Sequence, residues 1–351
     1  MNSSGLVDLQ VNGFAGIDFN AGASLTRAQI EIAMEALLAT GVTCLLPTLI
    51  TAMPNQLAER FAALDAAIAD SPLASALCPG YHLEGPFLSP EPGFCGCHPP
   101  DAMAPPDYAL VERLERGLSR PILLITIAAE LPGAVAFIRA ARAAGKLVAI
   151  GHSAADFDQV AAAAEAGASL ATHLGNGLPQ TLPKLANPIF AQLAEDRVAP
   201  TLIADGIHIP PHALKVLIRA AAGRAMLVTD AVSAAATAPG LYPFAGMTVQ
   251  REDDASVRLP GQVGLAGSAL CLDQAVRNLV RWNIASPAEA LAMASVRPAE
   301  MLAPVFRSHR LSRPPGRLLW SDDLVLRSLD IGPISRRFPP STDIEENPHA
   351  A

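Results

Sequence analysis

Short apolar runs alternate with longer stretches of helical character along most of the chain. The runs are continuous, which is typical of strands that are covered on both faces in a parallel sheet. Several of the stretches between them are rich in alanine and end at a glycine, the residue that commonly follows a helix C-terminus. We predict strands at residues 6–11, 43–50, 80–83, 122–128, 147–150, 170–173, 201–204 and 226–229.

Strands that alternate with helices in this way favour a (β/α)8 barrel. An open doubly wound sheet is the alternative, but no glycine-rich dinucleotide turn follows the first predicted strand. We therefore expect an α/β protein built on a TIM barrel. The predicted helices occupy residues 27–39, 56–70, 108–116, 133–144, 156–166 and 211–222.

Two segments interrupt this alternation. Residues 86–106 are rich in proline and glycine, and a loop of this length in a compact domain usually has a function. Residues 231–267 follow the last predicted strand and contain MTVQREDDASVRL, which predicts a small hairpin. We divide the chain into a barrel over residues 1–303, with a lid loop at 86–106 and an insert at 231–267, and a partly irregular C-terminal extension over residues 304–351.

Composition excludes several classes of protein. Apolar residues make up 51% of the 351 residues, which is too many for a disordered chain. Asp and Glu (33) outnumber Lys and Arg (25), which disfavours a nucleic-acid partner. No apolar run reaches the ~18 residues of a membrane span, and the N-terminus lacks the pattern of a secretion signal. Five scattered cysteines fit reduced thiols better than disulfides, so we expect a cytoplasmic protein without a membrane partner.

Polar residues cluster where the predicted strands end. His152 and His173 lie at the ends of the fifth and sixth strands, and Asp230 follows the eighth. In a barrel the C-terminal strand ends meet on one face, where active sites are built. Two imidazoles and a carboxylate suit a catalytic divalent metal, which lowers the pKa of a bound water, while Asp230 can take up and return a proton. The pattern predicts metal-assisted hydrolysis, whereas His82 lies one layer deeper and is expected to be a core residue.

Motifs at these strand ends resemble the amidohydrolase superfamily and, within it, the N-acetylglucosamine-6-phosphate deacetylases. They occur in the order of that family and span most of the chain. Each motif is short, but the set together is specific. The motifs are VDLQVNGFAGIDFN, GVTCLLPTLIT, HLEGPFLSPEPGFCGCHP, IGHSAA, ATHLGNGLP, IADGIHI, LVTDAV and LAGSAL.

The resemblance implies roles for individual residues. It places the metal ligands at Glu84, His152 and His173 and the catalytic carboxylate at Asp230. It also implies a small-molecule amino-sugar substrate and a homodimer. The implied substrate-binding residues are Cys97, His98, Asn176, Gly177, Lys184, His208, Leu265, Ala266 and Gly267.

The chain departs from the family pattern at four places. In the loop after strand six it has Gly175, Asn176 and Gly177, where the family usually has a bulky aromatic residue followed by Asn-Ala. Gln10-x-Asn12 stands where much of the superfamily has two histidines, and because amides are poor ligands we expect one divalent metal per subunit, zinc or ferrous iron. Gln10 is then expected to contact a metal-bound water. Lys184 stands where the family has a phosphate-binding arginine, and lysine attracts phosphate only as a point charge. The small β-sandwich of the family is expected to be missing or vestigial.

The expected function is a metal-dependent deacetylase that hydrolyses the acetamide of an N-acetylated amino sugar. N-Acetylglucosamine 6-phosphate, giving glucosamine 6-phosphate and acetate, is the first choice. The altered loop after strand six leaves open an unphosphorylated N-acetyl sugar or another amide. An inactive sugar-phosphate-binding barrel is the alternative from another class, but binding alone does not need a base such as Asp230 beside a metal.

Overall fold

An eight-stranded parallel barrel forms the centre of the computed structural model, which describes residues 1–312 and 316–338. Strands that are neighbours in the barrel are also neighbours along the chain. Hydrogen bonds from Asn12 N to Ala231 O and from Asp230 N to Gln10 O connect the last strand back to the first. The predicted TIM barrel is confirmed. Its strands are Leu6–Val11, Val42–Ile50, Tyr81–Glu84, Ile122–Ile127, Leu147–Ile150, Leu170–Ala171, Ala199–Leu202 and Met226–Leu227.

The sixth and eighth barrel strands are shorter than the apolar runs that predicted them. The runs extend to residues 173 and 229, but regular pairing stops at Ala171 and Leu227. The backbone enters the left-handed region at His173 (φ +29°) and at Asp230 (φ +50°), which extended strand geometry excludes. The chemistry-bearing residues therefore lie on turns just beyond the strands.

Helices surround the barrel, and several of them begin with a polar side chain that caps the first turn. Thr26 and Gln29 form a capping box, as do Asp156 and Gln159, while the Asn187 side chain accepts from two first-turn amides. No helix among the described residues is long and apolar enough to cross a membrane. The α-helices are Arg27–Ala39, Pro54–Ala69, Pro72–Leu77, Tyr108–Glu115, Ala134–Ala143, Phe157–Ala166, Pro188–Ala194, Pro211–Ala220, Leu272–Arg281, Pro287–Ala294 and Val296–Ser308.

The insert after the eighth strand is an antiparallel sheet. Met247–Arg251 pairs with Val257–Arg258, which is the hairpin predicted from the sequence. A third strand, Gly240–Phe244, which the sequence pattern did not indicate, pairs with Met247–Arg251 on its other side. The turn between them is tied to the barrel, because Ala245 N donates to Asp18 Oδ2 at 2.7 Å.

A second sheet joins the two ends of the described chain. Asn2–Ser4 pairs with Gly316–Trp320, which is followed by Leu326–Ile331 and Ile334–Arg337 in one antiparallel sheet. The predicted domain boundary at residue 304 falls inside helix Val296–Ser308. The C-terminal extension contains regular strands up to Arg337, and its residues 339–351 lie outside the described part of the chain.

A buried carboxyl group holds the first and eighth strands together. Asp8 is 0% exposed, and its Oδ2 accepts a 2.6 Å hydrogen bond from Thr229 Oγ1. Its Oδ1 accepts from the backbone N–H groups of Gln10 and Thr229. Burial raises the pKa of Asp8 to about 7, although these hydrogen bonds act in the opposite direction. The closure of the barrel therefore contains a group that titrates near neutral pH.

Replacing Asp8 by asparagine should make stability less dependent on pH. A carboxyl group whose pKa rises from 3.8 to about 7 on folding stabilises the native state most at low pH. That contribution is lost as pH rises through the folded-state pKa. We expect the free energy of unfolding of Asp8→Asn, relative to wild type, to increase by about 2–3 kcal/mol between pH 5 and pH 8 in urea titrations.

Asp158→Asn on the exposed first turn of helix Phe157–Ala166 provides a matched control for this comparison. Its unfolding free energy relative to wild type should stay nearly constant over the same pH range. A constant difference for Asp8→Asn as well would contradict the titration of Asp8.

Candidate metal centre and active site

Three of the predicted site residues that are not glycine have left-handed backbone conformations. His152, His173 and Asp230 have φ values of +49°, +29° and +50°. Such conformations are costly for residues other than glycine and cluster at functional sites. Each of these residues follows the end of a barrel strand, and the turns bring them together around Glu84 at the end of the third strand.

Glu84 is the centre of this group. Its Oε1 lies 2.9 Å from His173 Nε2 and 3.6 Å from His152 Nε2, and all three side chains are almost fully buried. Burial alone raises the pKa of Glu84, but the nearby His152 imidazole, the hydrogen bond with His173 and the charge of His173 hold it well below its usual value. Glu84 is therefore a carboxylate. Its distances to the two Nε2 atoms lie on either side of about 3.3 Å, which separates two donor atoms of a tetrahedral zinc with bonds of roughly 2.0–2.1 Å.

The Nδ1 atoms of the two histidines differ in their hydrogen bonding. His152 Nδ1 lies 2.7 Å from the carbonyl oxygen of Phe94, which only accepts, so Nδ1 carries the proton and Nε2 presents a lone pair. His173 Nδ1 is buried without a hydrogen-bond partner among the described residues. This nitrogen is not the one that lies 2.9 Å from Glu84, so the orphan is not itself part of the group around that carboxylate. Two imidazoles and a carboxylate fit a divalent cation.

Two glycines allow the surrounding loops to reach His152. A Cβ atom on Gly96 would lie 2.9 Å from the His152 ring, and one on Gly177 would lie 2.5 Å from it. Both residues have positive φ. The lid loop and the loop after strand six therefore hold this imidazole between them.

A fourth histidine approaches the same centre. His98, from the lid loop, lies with its Nε2 3.9 Å from Glu84 Oε2, and its ring centroid is 4.5 Å from that of His152. Glu84, His98 and His152 each offer a ligand atom within 4.8 Å of the others. The sequence placed His98 only at the substrate, because nothing in a proline-rich loop reveals how far it folds back into the barrel.

Asp230 is held by the two amides of the first strand. Gln10 Nε2 and Asn12 Nδ2 both donate to Asp230 Oδ1, at 3.0 and 2.7 Å. Gln10 Nε2 is directed to this carboxylate, and a contact between Gln10 and a metal-bound water stays a prediction. Within residues 1–312 and 316–338, no hydrogen-bond donor meets Oδ2, which is left open for proton transfer. Burial and the neighbouring charge of Glu84 raise the pKa of Asp230 to about 6, which suits a general base.

The predicted sugar-contacting residues lie on the loops around this centre. His208 Nδ1 lies 2.6 Å from Asp205 Oδ2, so this carboxylate orients the ring and leaves Nε2 for a ligand. Leu265, Ala266 and Gly267 run beside the base, since the next residue in the chain donates its N–H to Asp230 O at 3.0 Å.

The cysteines of the lid loop have different surroundings. Cys97 packs beside a small apolar cluster that includes Ile50, Val232 and Ala266. Burial and the nearby carboxylates of Asp230 and Glu84 raise the pKa of its thiol to about 12, so the thiol stays neutral. Cys95 and Cys97 carry free thiols, as the sequence predicted.

The loop after strand six offers open backbone donors. Asn176 Nδ2 is engaged with His173 O at 3.0 Å. The N–H groups of Gly177 and Leu178 make no hydrogen bond within the described part of the chain, so they are free to meet an anion. Lys184 is exposed in the segment that follows.

His82 is a core residue, as expected. It is 1% exposed. Its Nε2 lies 2.8 Å from Thr126 Oγ1, and its Nδ1 lies 3.4 Å from Thr48 Oγ1. Burial lowers the pKa of His82 to about 4. A neutral imidazole therefore fills the barrel beneath the metal centre.

Two relatives share most of this chain. An N-acetylgalactosamine-6-phosphate deacetylase from Escherichia coli O157:H7 is 34% identical over 301 residues, which cover 84% of this chain and 76% of that protein. An N-acetylglucosamine-6-phosphate deacetylase from Danio rerio is 33% identical over 308 residues, which cover 85% and 74%. No protein-family model matches the chain.

Solved structures have the same architecture. An N-acetyl-D-glucosamine-6-phosphate deacetylase variant from Mycobacterium smegmatis, in complex with N-acetyl-D-glucosamine-6-phosphate, superposes with a TM-score of 0.82 at 27% identity over 94% of this chain and 85% of that one. The enzyme from Pasteurella multocida gives a TM-score of 0.83 at 25% identity over 96% and 86%. On this evidence the chain belongs to the family of N-acetylglucosamine-6-phosphate deacetylases.

Proposed function

We propose that this protein is a metal-dependent deacetylase of N-acetylhexosamine 6-phosphates. N-Acetylglucosamine 6-phosphate is the first choice of substrate, with glucosamine 6-phosphate and acetate as products. The observation that carries the proposal is the buried set of Glu84, His152 and His173 beside Asp230, whose Oδ2 is open. One zinc or ferrous ion per subunit would be held by this set, with the three residues as its ligands.

The protein residues divide the chemistry of amide hydrolysis among themselves. A divalent metal, when bound, lowers the pKa of a coordinated water and polarises a carbonyl oxygen. Asp230 Oδ2 accepts a proton as water adds to the acetamide carbon, and it delivers that proton to the departing nitrogen as the C–N bond breaks. Gln10 and Asn12 hold Oδ1 during both transfers, so the carboxylate does not need to reorient.

Selectivity for the sugar comes from the loops. His208, oriented by Asp205, is placed to contact a hydroxyl group, and the open amides at Gly177 and Leu178 suit an anionic group. Lys184 adds a point charge for the phosphate. Relatives at 34% and 33% identity are named for the galactose and glucose epimers, so both are candidate substrates.

Location and assembly are part of the proposal as well. The free cysteines of the lid loop, Cys95 and Cys97, support a cytoplasmic protein. The resemblance supports a homodimer, in which a second subunit adds to the phosphate contacts near the exposed Lys184.

An acetate-release assay over a substrate panel tests the proposal directly. The panel comprises N-acetylglucosamine 6-phosphate, N-acetylgalactosamine 6-phosphate and unphosphorylated N-acetylglucosamine, with metal content measured on the same sample. We expect turnover on a phosphorylated sugar and little on the plain one. We also expect Lys184→Ala to raise KM for the phosphorylated sugar, because it removes the point charge.

Other outcomes of this assay point to different functions. Equal turnover on the plain sugar would favour the unphosphorylated substrate. Bound metal without turnover on any acetamide would favour a sugar-phosphate-binding barrel.

Replacing Asp230 by asparagine should separate catalysis from metal binding. The amide keeps the shape of the side chain but cannot carry a proton between water and the amine. We expect kcat to fall at least ~100-fold, the usual scale for general acid–base catalysis, while metal content stays at the wild-type level. Near-normal turnover would remove Asp230 from this role.

Replacing His152 by alanine should abolish tight metal binding. The variant loses one imidazole ligand and also the hydrogen bond that ties this part of the lid loop to the site, so the ion should be held much less tightly. Metal analysis after dialysis measures the loss, and His212→Gln, at an exposed histidine on helix Pro211–Ala220, should retain the metal. Full occupancy in His152→Ala would reject this ligand.

A further inference from the structure

The lid loop is built into the metal centre rather than folded over it. Ser89 N donates to the carbonyl of His152 at 3.0 Å, and the carbonyl of Phe94 accepts from His152 Nδ1 at 2.7 Å. Gly96 lies against the same imidazole. Three points of one loop therefore contact one candidate ligand.

Hydrogen bonding fixes how His98, in the same loop, presents its ring. Its Nδ1 lies 2.8 Å from Thr51 Oγ1, and the Thr51 hydroxyl lies 3.4 Å from the carbonyl oxygen of Glu84. A carbonyl only accepts, so the hydroxyl proton belongs to that contact and Thr51 Oγ1 accepts from Nδ1–H. His98 Nε2 is therefore left with a lone pair.

This lone pair faces another acceptor. His98 Nε2 lies 3.9 Å from Glu84 Oε2, and both side chains are almost fully buried. The distance is too long for a hydrogen bond, and a carboxylate oxygen has no proton to donate. Two ligands of one ion with bonds of roughly 2.0–2.2 Å can lie up to about 4.3 Å apart, so a cation fits between them.

We propose that His98 Nε2 is a fourth protein ligand of the metal, supplied by the lid loop. The inference rests on the proposed function, because it assumes the ion held by Glu84, His152 and His173. Catalytic sites of this kind keep one position open for water or substrate. With His98 bound, a four-coordinate ion would have no position left for water, so the site would have to release His98 or take up a fifth ligand when substrate enters, and the lid would take part in ligand exchange.

Cobalt(II) binding tests this ligand independently of turnover, because its visible absorption responds to the number and kind of ligands. Wild type and His98→Ala are titrated with cobalt(II) against a chelator, with the surface variant His212→Gln as control. Loss of a residue that only orients a ligand weakens metal binding by roughly 10–100-fold. We expect His98→Ala to weaken cobalt(II) binding more than about 100-fold and to change the absorption spectrum. His212→Gln should match wild type in affinity and in spectrum.

Further variants keep the outcome decisive. Thr51→Val leaves His98 in place and removes only its orienting partner, so binding should weaken within the 10–100-fold range with little spectral change. If His98→Ala fails to fold, His98→Gln preserves most of the bulk and should show the same spectral change. An unchanged spectrum in the folded His98 variant overturns the proposal, whatever its affinity.

Hydrogen exchange of the lid-loop amides provides a second test of the His98 ligand. In wild type, added zinc should slow exchange of the amides at residues 94–98, and in His98→Ala most of this effect should vanish. A zinc effect of equal size in both proteins would overturn the proposal. If wild type itself binds no metal, the proposed function fails, whereas equal binding and spectra in both proteins refute only the role of His98.

Discussion

The negative charge of Glu84 is the constraint on which the rest of the site depends. A carboxylate that is 2% exposed at the mouth of a barrel is costly unless opposite charge or hydrogen bonds compensate for it. Here His152 and His173 approach from two other strands, and the charge in turn shifts the titration of Asp230. Removing one partner from a buried ionic group costs about 3–5 kcal/mol, so these strand ends stabilise one another.

The sequence predicted the barrel and the main site because both follow from short-range patterns. Continuous apolar runs identified the strands, and a rule about where parallel strands end placed His152, His173 and Asp230 on one face. The partners of individual hydrogen bonds cannot be predicted in this way, since they depend on which atoms meet across the barrel. The hydrogen bond from Gln10 to Asp230, for example, was not predicted from the sequence.

Features that depend on long-range contacts could not be predicted. The left-handed backbone at the site residues has no signal in their side chains, because histidine and aspartate occur freely in ordinary conformations. The lid loop carries few periodic residues, so its folding back to place Phe94 and His98 beside His152 appears only in the structure. The second sheet pairs Asn2–Ser4 with Gly316–Trp320, which lie at opposite ends of the described chain.

The hydrogen bond between Phe94 O and His152 Nδ1 has a kinetic consequence. An imidazole whose far nitrogen is anchored to a loop shares the motions of that loop. Each excursion of residues 86–106 that exposes the cavity also releases one bond that fixes the ring. Opening of the loop would therefore also free the His152 ring, and a molecule that clamps the loop shut would hold this ring in place.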